Sequence, residues 1–219
     1  MSRGVFILLE GVDRCGKTTQ VGLLSESSVM APCEKMNFPD RTTEIGKTIN
    51  SYLKSSLDLP DESVHLLFSS NRWERQPHIL ECLQGGKNIV CDRYAYSGVA
   101  FTNSKVDGPA LDWCKACDVG LPRPDAILFL DVSQSVAETR GGFGDERYEN
   151  TTHQTAVRKV FETLKTEDQA MDNAPEWHMV DAGRSIEEVK KDIEEIVKGV
   201  KERKQDTPIG KLWSAEGNY

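Results

Sequence analysis

The stretch GVDRCGKTT, residues 11–19, contains the residue types of a loop that binds phosphate. Gly11 and Gly16 allow the backbone to curl, so that several N–H groups converge on one anion at the positive end of the next helix. Lys17 would reach the β and γ oxygens of a nucleoside triphosphate, and the hydroxyl of Thr18 would ligate Mg²⁺. The pattern therefore indicates a nucleotide-binding loop, which we expect to continue through Thr19.

Two residues of this loop raise a separate question. Asp13 is a carboxylate among groups that surround negatively charged oxygens, and Arg14 follows it directly.

The loop alone leaves open a switch GTPase, an ATPase and a small-molecule kinase. A GTPase would normally have a guanine-reading N-K-x-D further along the chain, and the sequence contains none. A kinase needs a second phosphate site, for which the sequence offers candidates.

The elements that must position these residues follow an α/β pattern. Short apolar runs alternate with longer amphipathic segments, as is typical of a parallel sheet flanked by helices. The residues between 61 and 86 have a helical pattern, and we expect Pro77 to kink or split it. We predict strands at residues 5–10, 33–38, 88–92, 126–132 and 177–181.

Candidates for a second phosphate site follow two of these strands. The segment FPDR, which runs from Phe38 to Arg41, follows the second strand, and Arg93 follows the third. Ligands of doubly wound sheets bind outside the carboxyl ends of the strands, and a guanidinium fork suits phosphate. Asp92 ends the third strand, where it could hold the water shell of Mg²⁺. Surface ion pairs or a turn cap would be the alternatives for each residue taken singly.

A possible base-binding pair lies on the third helical stretch. Phe68 and Arg72 are four residues apart, so they share one face of a helix. An aromatic plane beside a guanidinium could stack on a base and read its edge. The spacing alone favours the alternative, a core phenylalanine and a solvated arginine.

Composition limits the classes of function. The chain has 219 residues and a formal net charge of -8, which argues against a nucleic-acid polymer as partner. The first apolar run ends at Glu10 and is too short for a signal core or a membrane span, so we expect a cytoplasmic protein and leave the nucleus open. Cys114 and Cys117 form a C-x-x-C without a second pair, which favours two apolar helix residues over a metal or redox site.

Eight segments together resemble the thymidylate kinase family, most closely its eukaryotic form. They are FILLEGVDRCGKTTQ, FPDRTTEIG, VHLLFSSNRWE, DRYAYSGVAFT, LDWCKACDVGLPRPD, LFLDV, GDERYEN and MVDAGRSIEEV. The resemblance implies an α/β P-loop kinase fold with a five-stranded parallel sheet, flanking helices and a mobile lid. It implies transfer of the γ-phosphoryl group of ATP to dTMP, giving dTDP and ADP, with Mg²⁺ as cofactor. It also implies a homodimer.

The resemblance assigns roles to individual residues. Arg14, Lys17 and Asp92 would be catalytic, with Thr18 and Asp92 serving the metal. The residues that would bind dTMP are Asp13, Phe38, Arg41, Phe68, Arg72, Arg93, Tyr94, Ser97, Phe101 and Tyr148. Those that would flank the adenine are Arg140, Asp181 and Arg184. The lid would contribute Arg147 and Glu149.

Within these roles, Asp13 would accept a hydrogen bond from the 3′-hydroxyl of the acceptor sugar, which would explain a carboxylate in the loop. We expect one domain over residues 1–219, with the lid at about 141–150 and a loosely held tail at about 201–219. A kinase for another pyrimidine monophosphate (dUMP, UMP or CMP) and a regulatory P-loop NTPase remain alternatives. An inactive relative is disfavoured, because Arg14, Lys17, Thr18 and Asp92 are all present.

Overall fold

The computed structural model describes residues 2–133, 136, 147–148, 151–172, 174–214 and 217–219. The strands are β1 (Phe6–Glu10), β2 (Cys33–Asn37), β3 (Asn88–Asp92), β4 (Ala126–Asp131) and β5 (Glu176–Asp181). The helices are α1 (Lys17–Glu26), α2 (Glu44–Leu53), α3 (Asp61–Trp73), α4 (Gln76–Gln84), α5 (Ala95–Asn103), α6 (Leu111–Ala116), α7 (Thr151–Gln169) and α8 (Ile186–Lys204). None of the helices in these ranges combines the length and the apolar character needed to cross a bilayer.

The five strands form one parallel sheet in the order β2-β3-β1-β4-β5. β1 lies at its centre, where Leu9 pairs with Asp92 of β3 and Glu10 pairs with Phe129 of β4. The predicted five-stranded parallel sheet flanked by helices is therefore confirmed. Because all strands run the same way, the loops after β1, β2 and β3 meet at one edge of the sheet.

Both faces of the sheet are covered, so its strands are apolar on both sides. Phe6 and Leu8 point into one core, which is completed by α4, α5 and α7. Ile7 and Leu9 point to the opposite core, which α1 and α8 complete. This alternation along β1 follows from the two-residue period of a strand. β1 is thereby anchored on both faces of the sheet, and the phosphate loop follows its last residue.

The helical stretch after residue 60 is split, as Pro77 indicated. α3 ends at Trp73, and α4 begins at Gln76 with Pro77 in its first turn. Proline is tolerated there because the first N–H groups of a helix have no partner within it. The split lets α3 face the cleft described below while α4 packs behind β3.

The tail is a correction to the sequence-based expectation. We expected residues 201–219 to be loosely held, but α8 extends to Lys204 and Leu212 is fully buried in the core beside α7. The Leu212 N–H donates to the carbonyl of Leu121 at 2.7 Å, and the Gly120 N–H donates to the carbonyl of Leu212 at 2.9 Å. Two apolar side chains in a charged tail were enough to anchor it, since Ile209 is buried as well.

Candidate active site

The phosphate loop joins β1 to α1 and wraps around its own lysine. Gly11 and Gly16 have φ values of 143° and 99°, which favour glycine. A side chain on Gly11 would also place its Cβ 2.7 Å from the carbonyl oxygen of Leu130. Lys17 Nζ donates to the carbonyls of Gly11 at 3.1 Å and Val12 at 2.7 Å. The ammonium group is thus held inside the loop, where a phosphate would bind.

A hydroxyl and a carboxylate meet where α1 begins and β3 ends. Thr18 Oγ1 donates to Asp92 Oδ2 at 2.7 Å. The two residues are neighbours because β1 and β3 are paired and both end at this edge. Hydroxyl and carboxylate oxygens are ligands of the kind that Mg²⁺ prefers. The predicted metal residues therefore fit a hard cation in chemistry and in position.

Asp13 and Arg93 form an ion pair across the cleft. Arg93 Nη1 also donates to Ser97 Oγ at 3.0 Å, and its guanidinium lies 4.9 Å from the centre of the Phe101 ring. Arg14 and Arg93 have φ values of 62° and 65°, in the left-handed region that non-glycine residues rarely adopt. Strained backbone of this kind clusters at functional sites.

Two buried residues that the sequence did not single out support this pair. Gln154 of α7 accepts from the Asp13 N–H at 2.9 Å and donates to Asp13 Oδ2 at 2.6 Å. Glu10 accepts from the N–H groups of Tyr94 and Ser97 at 3.0 and 3.1 Å, and from Ser97 Oγ at 2.6 Å. Burial raises the pKa of Glu10, while the nearby Arg93 charge opposes this shift. Glu10 thus fixes the start of α5, and Gln154 fixes the phosphate loop at Asp13.

Arg72 is buried and paired, not solvated. Its Nε and Nη2 atoms donate to the two oxygens of Asp118 at 3.1 and 2.6 Å, and Ser69 Oγ donates to Asp118 as well. Asp118 is fully buried. A Cβ added to Gly98 would lie 2.8 Å from Arg72 Nη2. The guanidinium is therefore fixed on one side by a carboxylate and on another by the bare backbone of α5.

One cleft of about 700 Å³ brings most of the predicted residues together. The predicted ATP and metal residues in its lining are Arg14, Gly16, Lys17, Thr18, Thr19 and Asp92. The predicted dTMP residues in its lining are Asp13, Phe38, Arg41, Phe68, Arg72, Arg93, Tyr94, Ser97, Phe101 and Tyr148. Phe68 and Arg72 share a helix face and both reach the cleft, as their spacing allowed. Further lining residues that we did not predict are Asn37, Pro39, Leu53, Gly98 and Thr102.

The remaining predicted residues lie elsewhere. Arg147 donates from Nε to the Tyr52 carbonyl at 3.1 Å and from Nη2 to Asp58 at 2.5 Å, so it is held at the end of α2. Arg184 pairs with Asp192, and its Nε lies 3.7 Å from Asp181 Oδ2. Neither arginine lines the cleft, and their roles stay predictions. Arg140, Glu149 and the lid residues 141–146 and 150 fall outside the described residues.

Comparison with known proteins places the chain in a family. Residues 9–193 match the family model described as "Thymidylate kinase". The chain is 48% identical over 213 residues to the thymidylate kinase of Homo sapiens, covering 96% of this chain and 98% of the relative. It is 47% identical to that of Danio rerio, with the same coverage.

A solved structure agrees with these sequence matches. The thymidylate kinase of Candida albicans superposes with a TM-score of 0.82 at 39% identity, covering 92% of this chain and 94% of that one. The fold is thus that of a P-loop kinase. Its five-stranded sheet, its phosphate loop and the extent of these matches lead to one conclusion: the chain belongs to the thymidylate kinase family.

Proposed function

We propose that this protein transfers the γ-phosphoryl group of ATP to dTMP, giving dTDP and ADP. The observation that carries the proposal is the single cleft that joins a phosphate loop to a second group of arginines and aromatic side chains. A switch or a simple NTPase needs the first part only. Two phosphate-binding ends in one cleft suit direct transfer between two bound nucleotides.

At the donor end, charge neutralisation is the main task. Phosphoryl transfer spreads negative charge over the moving group, and preorganised cations stabilise it. Lys17 is already enclosed by the loop carbonyls, so ATP phosphates would exchange with those carbonyls as its partners. Arg14 lines the same cleft as Lys17 and Thr18, where it would contact the transferred group. Thr18 and Asp92 would hold Mg²⁺, which supplies further positive charge when bound.

At the acceptor end, each side chain would bind the part of dTMP that suits its chemistry. Phe68 would stack on thymine, and Arg72 would donate to the edge of the base. Arg41 and Arg93 would bind the acceptor phosphate through their guanidinium groups. Asp13 would accept a hydrogen bond from the sugar 3′-hydroxyl. The hydroxyl of Tyr94 is buried, and among the described residues it has no hydrogen-bond partner, so it offers another polar contact.

The reaction needs no strong general base. An oxygen of the acceptor phosphate is already anionic, so it can form the new O–P bond while the bond from Pγ to the β-phosphate oxygen breaks. ADP then leaves with the electron pair of the broken bond. The protein's part is to align the two phosphates and to keep water away from the γ-phosphoryl group.

The proposal is tested by coupled ADP release with a panel of nucleoside monophosphates. A thymidylate kinase releases ADP rapidly with dTMP and is nearly idle without an acceptor. Equal release with and without any monophosphate would indicate an NTPase instead. The panel should include dUMP, UMP and CMP, since the Candida albicans relative is described as having broad substrate specificity. Faster turnover with one of these would make that nucleotide the substrate.

Arg14 is the residue whose removal tests the mechanism most directly. We expect Arg14→Ala to lower kcat by on the order of 10³-fold or more, because an arginine on the transferred group has effects of this size. The KM for ATP should change far less. Arg203→Ala is the matched control, because Arg203 pairs with Glu176 at 2.6 Å and lies outside the cleft lining. Near-normal turnover of Arg14→Ala would contradict its catalytic role.

We also propose a homodimer, formed through an apolar surface on α3, α6 and the turn that follows α6. The exposed side chains on this surface are Leu66, Trp73, Trp113 and Val119, each between 37% and 47% exposed. Exposed large apolar groups that gather on one face mark interaction sites. Light scattering should give twice the chain mass, and Leu66→Glu should give a monomer. Met171→Glu, at a 51% exposed position after α7, should leave the mass unchanged.

A further inference from the structure

Three different metal-ligand types gather away from the cleft, between the edge strand β2 and helix α4. Glu34 lies on β2, while His78 and Cys82 lie one turn apart on α4. One donor atom from each side chain lies within 4.8 Å of the other two. The spacing of four residues puts the imidazole and the thiol on one helix face. None of the three lines the cleft.

Two of the three ligand separations match the edges of a tetrahedral zinc site, and the third, between Glu34 and Cys82, is at most 4.8 Å. His78 Nε2 is 3.2 Å from Glu34 Oε1 and 3.7 Å from Cys82 Sγ. Ordinary zinc bond lengths at tetrahedral angles put a nitrogen and an oxygen ligand about 3.4 Å apart, and a nitrogen and a sulfur ligand about 3.6 Å apart. Both measured separations are within a few tenths of an ångström of these values. A metal ion could therefore be bound with small side-chain adjustments.

We propose that Glu34, His78 and Cys82 form a binding site for Zn²⁺. Imidazole, thiolate and carboxylate are the three side-chain ligands that zinc takes in proteins, and three of them leave a fourth position for water. The other ring nitrogen of His78 lies 3.7 Å from Glu81 Oε2. A shift of this exposed carboxylate by a few tenths of an ångström would let it accept from the imidazole and orient a zinc-bound histidine. The His78 side chain is 38% exposed, so an ion can reach the site from solvent.

Lys87 sets the strength of this site. Its ammonium lies 2.5 Å from Glu34 Oε2, and this contact leaves Oε1 facing His78. This hydrogen bond from Lys87 holds the Glu34 carboxylate in place. Its positive charge also repels a cation bound next to it. The affinity for zinc should therefore rise when this charge is removed.

Zinc alone is the probe for the test. Untagged, chelator-treated protein is titrated with Zn²⁺ against a zinc-binding dye, with Mg²⁺ in excess to occupy sites made of oxygen ligands. We expect one equivalent per chain, and at least about tenfold weaker binding for His78→Ala and for Cys82→Ser. His178→Ala is the matched control: His178 Nε2 also faces a carboxylate, that of Glu176 at 3.5 Å. Its zinc affinity should equal that of the unchanged protein.

Two further measurements separate ligation from a loss of folding. Co²⁺ in place of Zn²⁺ should produce a thiolate-to-cobalt charge-transfer absorption that Cys82→Ser abolishes. Lys87→Met retains all three ligands and should bind zinc several-fold more tightly than the unchanged protein. The proposal is overturned if no stoichiometric zinc binds, or if His78→Ala and Cys82→Ser bind it as strongly as the unchanged protein. An unimproved affinity in Lys87→Met would remove Glu34 from the site.

Discussion

Two arginine–carboxylate pairs lie at or next to the cleft, and they are built differently. Arg72 and Asp118 are almost fully buried and joined by two hydrogen bonds. Arg93 and Asp13 lie at the cleft surface, with side chains 19% and 18% exposed. Asp118 is further bound by Ser69, whereas the second oxygen of Asp13 is bound by Gln154.

The difference indicates two ways of using an arginine in recognition. Neither member of a buried pair can change partners cheaply, because the other would be left as an unpaired charge away from water. Arg72 therefore has one fixed position, as a group that reads the edge of a base should have. Arg93 and Asp13 would separate if a substrate phosphate bound the first and a sugar hydroxyl bound the second, as we propose. Substrate binding would then replace an internal ion pair.

The largest expected effect comes from breaking the buried pair. Asp118→Ala should lower the free energy of unfolding by about 3–5 kcal/mol, because it leaves the Arg72 charge buried without a partner. Urea denaturation measures this loss. Asp13→Ala is the matched variant from the cleft pair and should lower stability by less than about 2 kcal/mol, since its arginine remains near solvent. Equal losses of stability for the two variants would contradict the difference between the buried pair and the cleft pair.

The next effect concerns Asp13 and the sugar. A hydrogen bond to a charged group contributes about 1.5–3 kcal/mol, so dTMP without its 3′-hydroxyl should have a kcat/KM at least about tenfold lower. In Asp13→Ala the same analogue and dTMP should differ by much less. Asp181→Ala, outside the cleft lining, should keep the full difference. An unchanged difference in Asp13→Ala would mean that Asp13 has another role.

Gly98 tests how firmly Arg72 is fixed. Gly98→Ala would place a Cβ 2.8 Å from Arg72 Nη2, and Asp118 leaves the guanidinium little room to move. Overpacking of this kind costs about 1–3 kcal/mol, so we expect the KM for dTMP to rise about tenfold with the KM for ATP unchanged. Gly22→Ala is the control, because nothing lies within 4 Å of its added Cβ. An unaltered KM for dTMP would show that the Arg72 guanidinium can move away from the added methyl group.

The smallest expected effect is a pH dependence of the free energy of unfolding that comes from the buried residue His65. His65 lies between Thr102 Oγ1 and the Cys114 carbonyl, both at 2.8 Å, and its burial lowers its pKa. Its neutral form is stabilising above the unfolded-state pKa of about 6.5, and this contribution is lost as pH falls through the folded-state pKa. His65→Gln should therefore show a shallower loss of stability on acidification, measured by urea denaturation at several pH values. An identical slope would argue that His65 is protonated without cost.

The local features of the fold were predictable from the sequence. β3 has the predicted bounds, because Gly85 and Gly86 end the helix before it and Asp92 closes its apolar run. The phosphate loop could be predicted for a similar reason, since its function depends on residues that are adjacent in the chain. Pro77 acts through its own backbone, so the split in the helical stretch could also be predicted from the sequence.

The partners of the functional residues were not predictable from local patterns. Asp118 is 46 residues from Arg72, and Gln154 is 141 residues from Asp13. No periodicity in the sequence connects such positions. Glu10 suggested the polar end of a strand, but its carboxylate is buried because the N–H groups that begin α5 need an acceptor. The spacing of Phe68 and Arg72 gave their shared face without the carboxylate that fixes the arginine.

The packed tail has a consequence for how this molecule is made. In the turn that follows Asp118, Gly120 donates to the carbonyl of Leu212 and Leu121 accepts from its N–H, and Leu212 leaves the ribosome long after this turn. Until then, Gly120 and Leu121 lack these partners. By contrast, the central strand β1 is the first strand to be synthesised. The turn beside the carboxylate that fixes Arg72 therefore gains its last backbone hydrogen bonds late in synthesis. In a nascent chain, the strands around the phosphate loop leave the ribosome well before the segment that completes this turn.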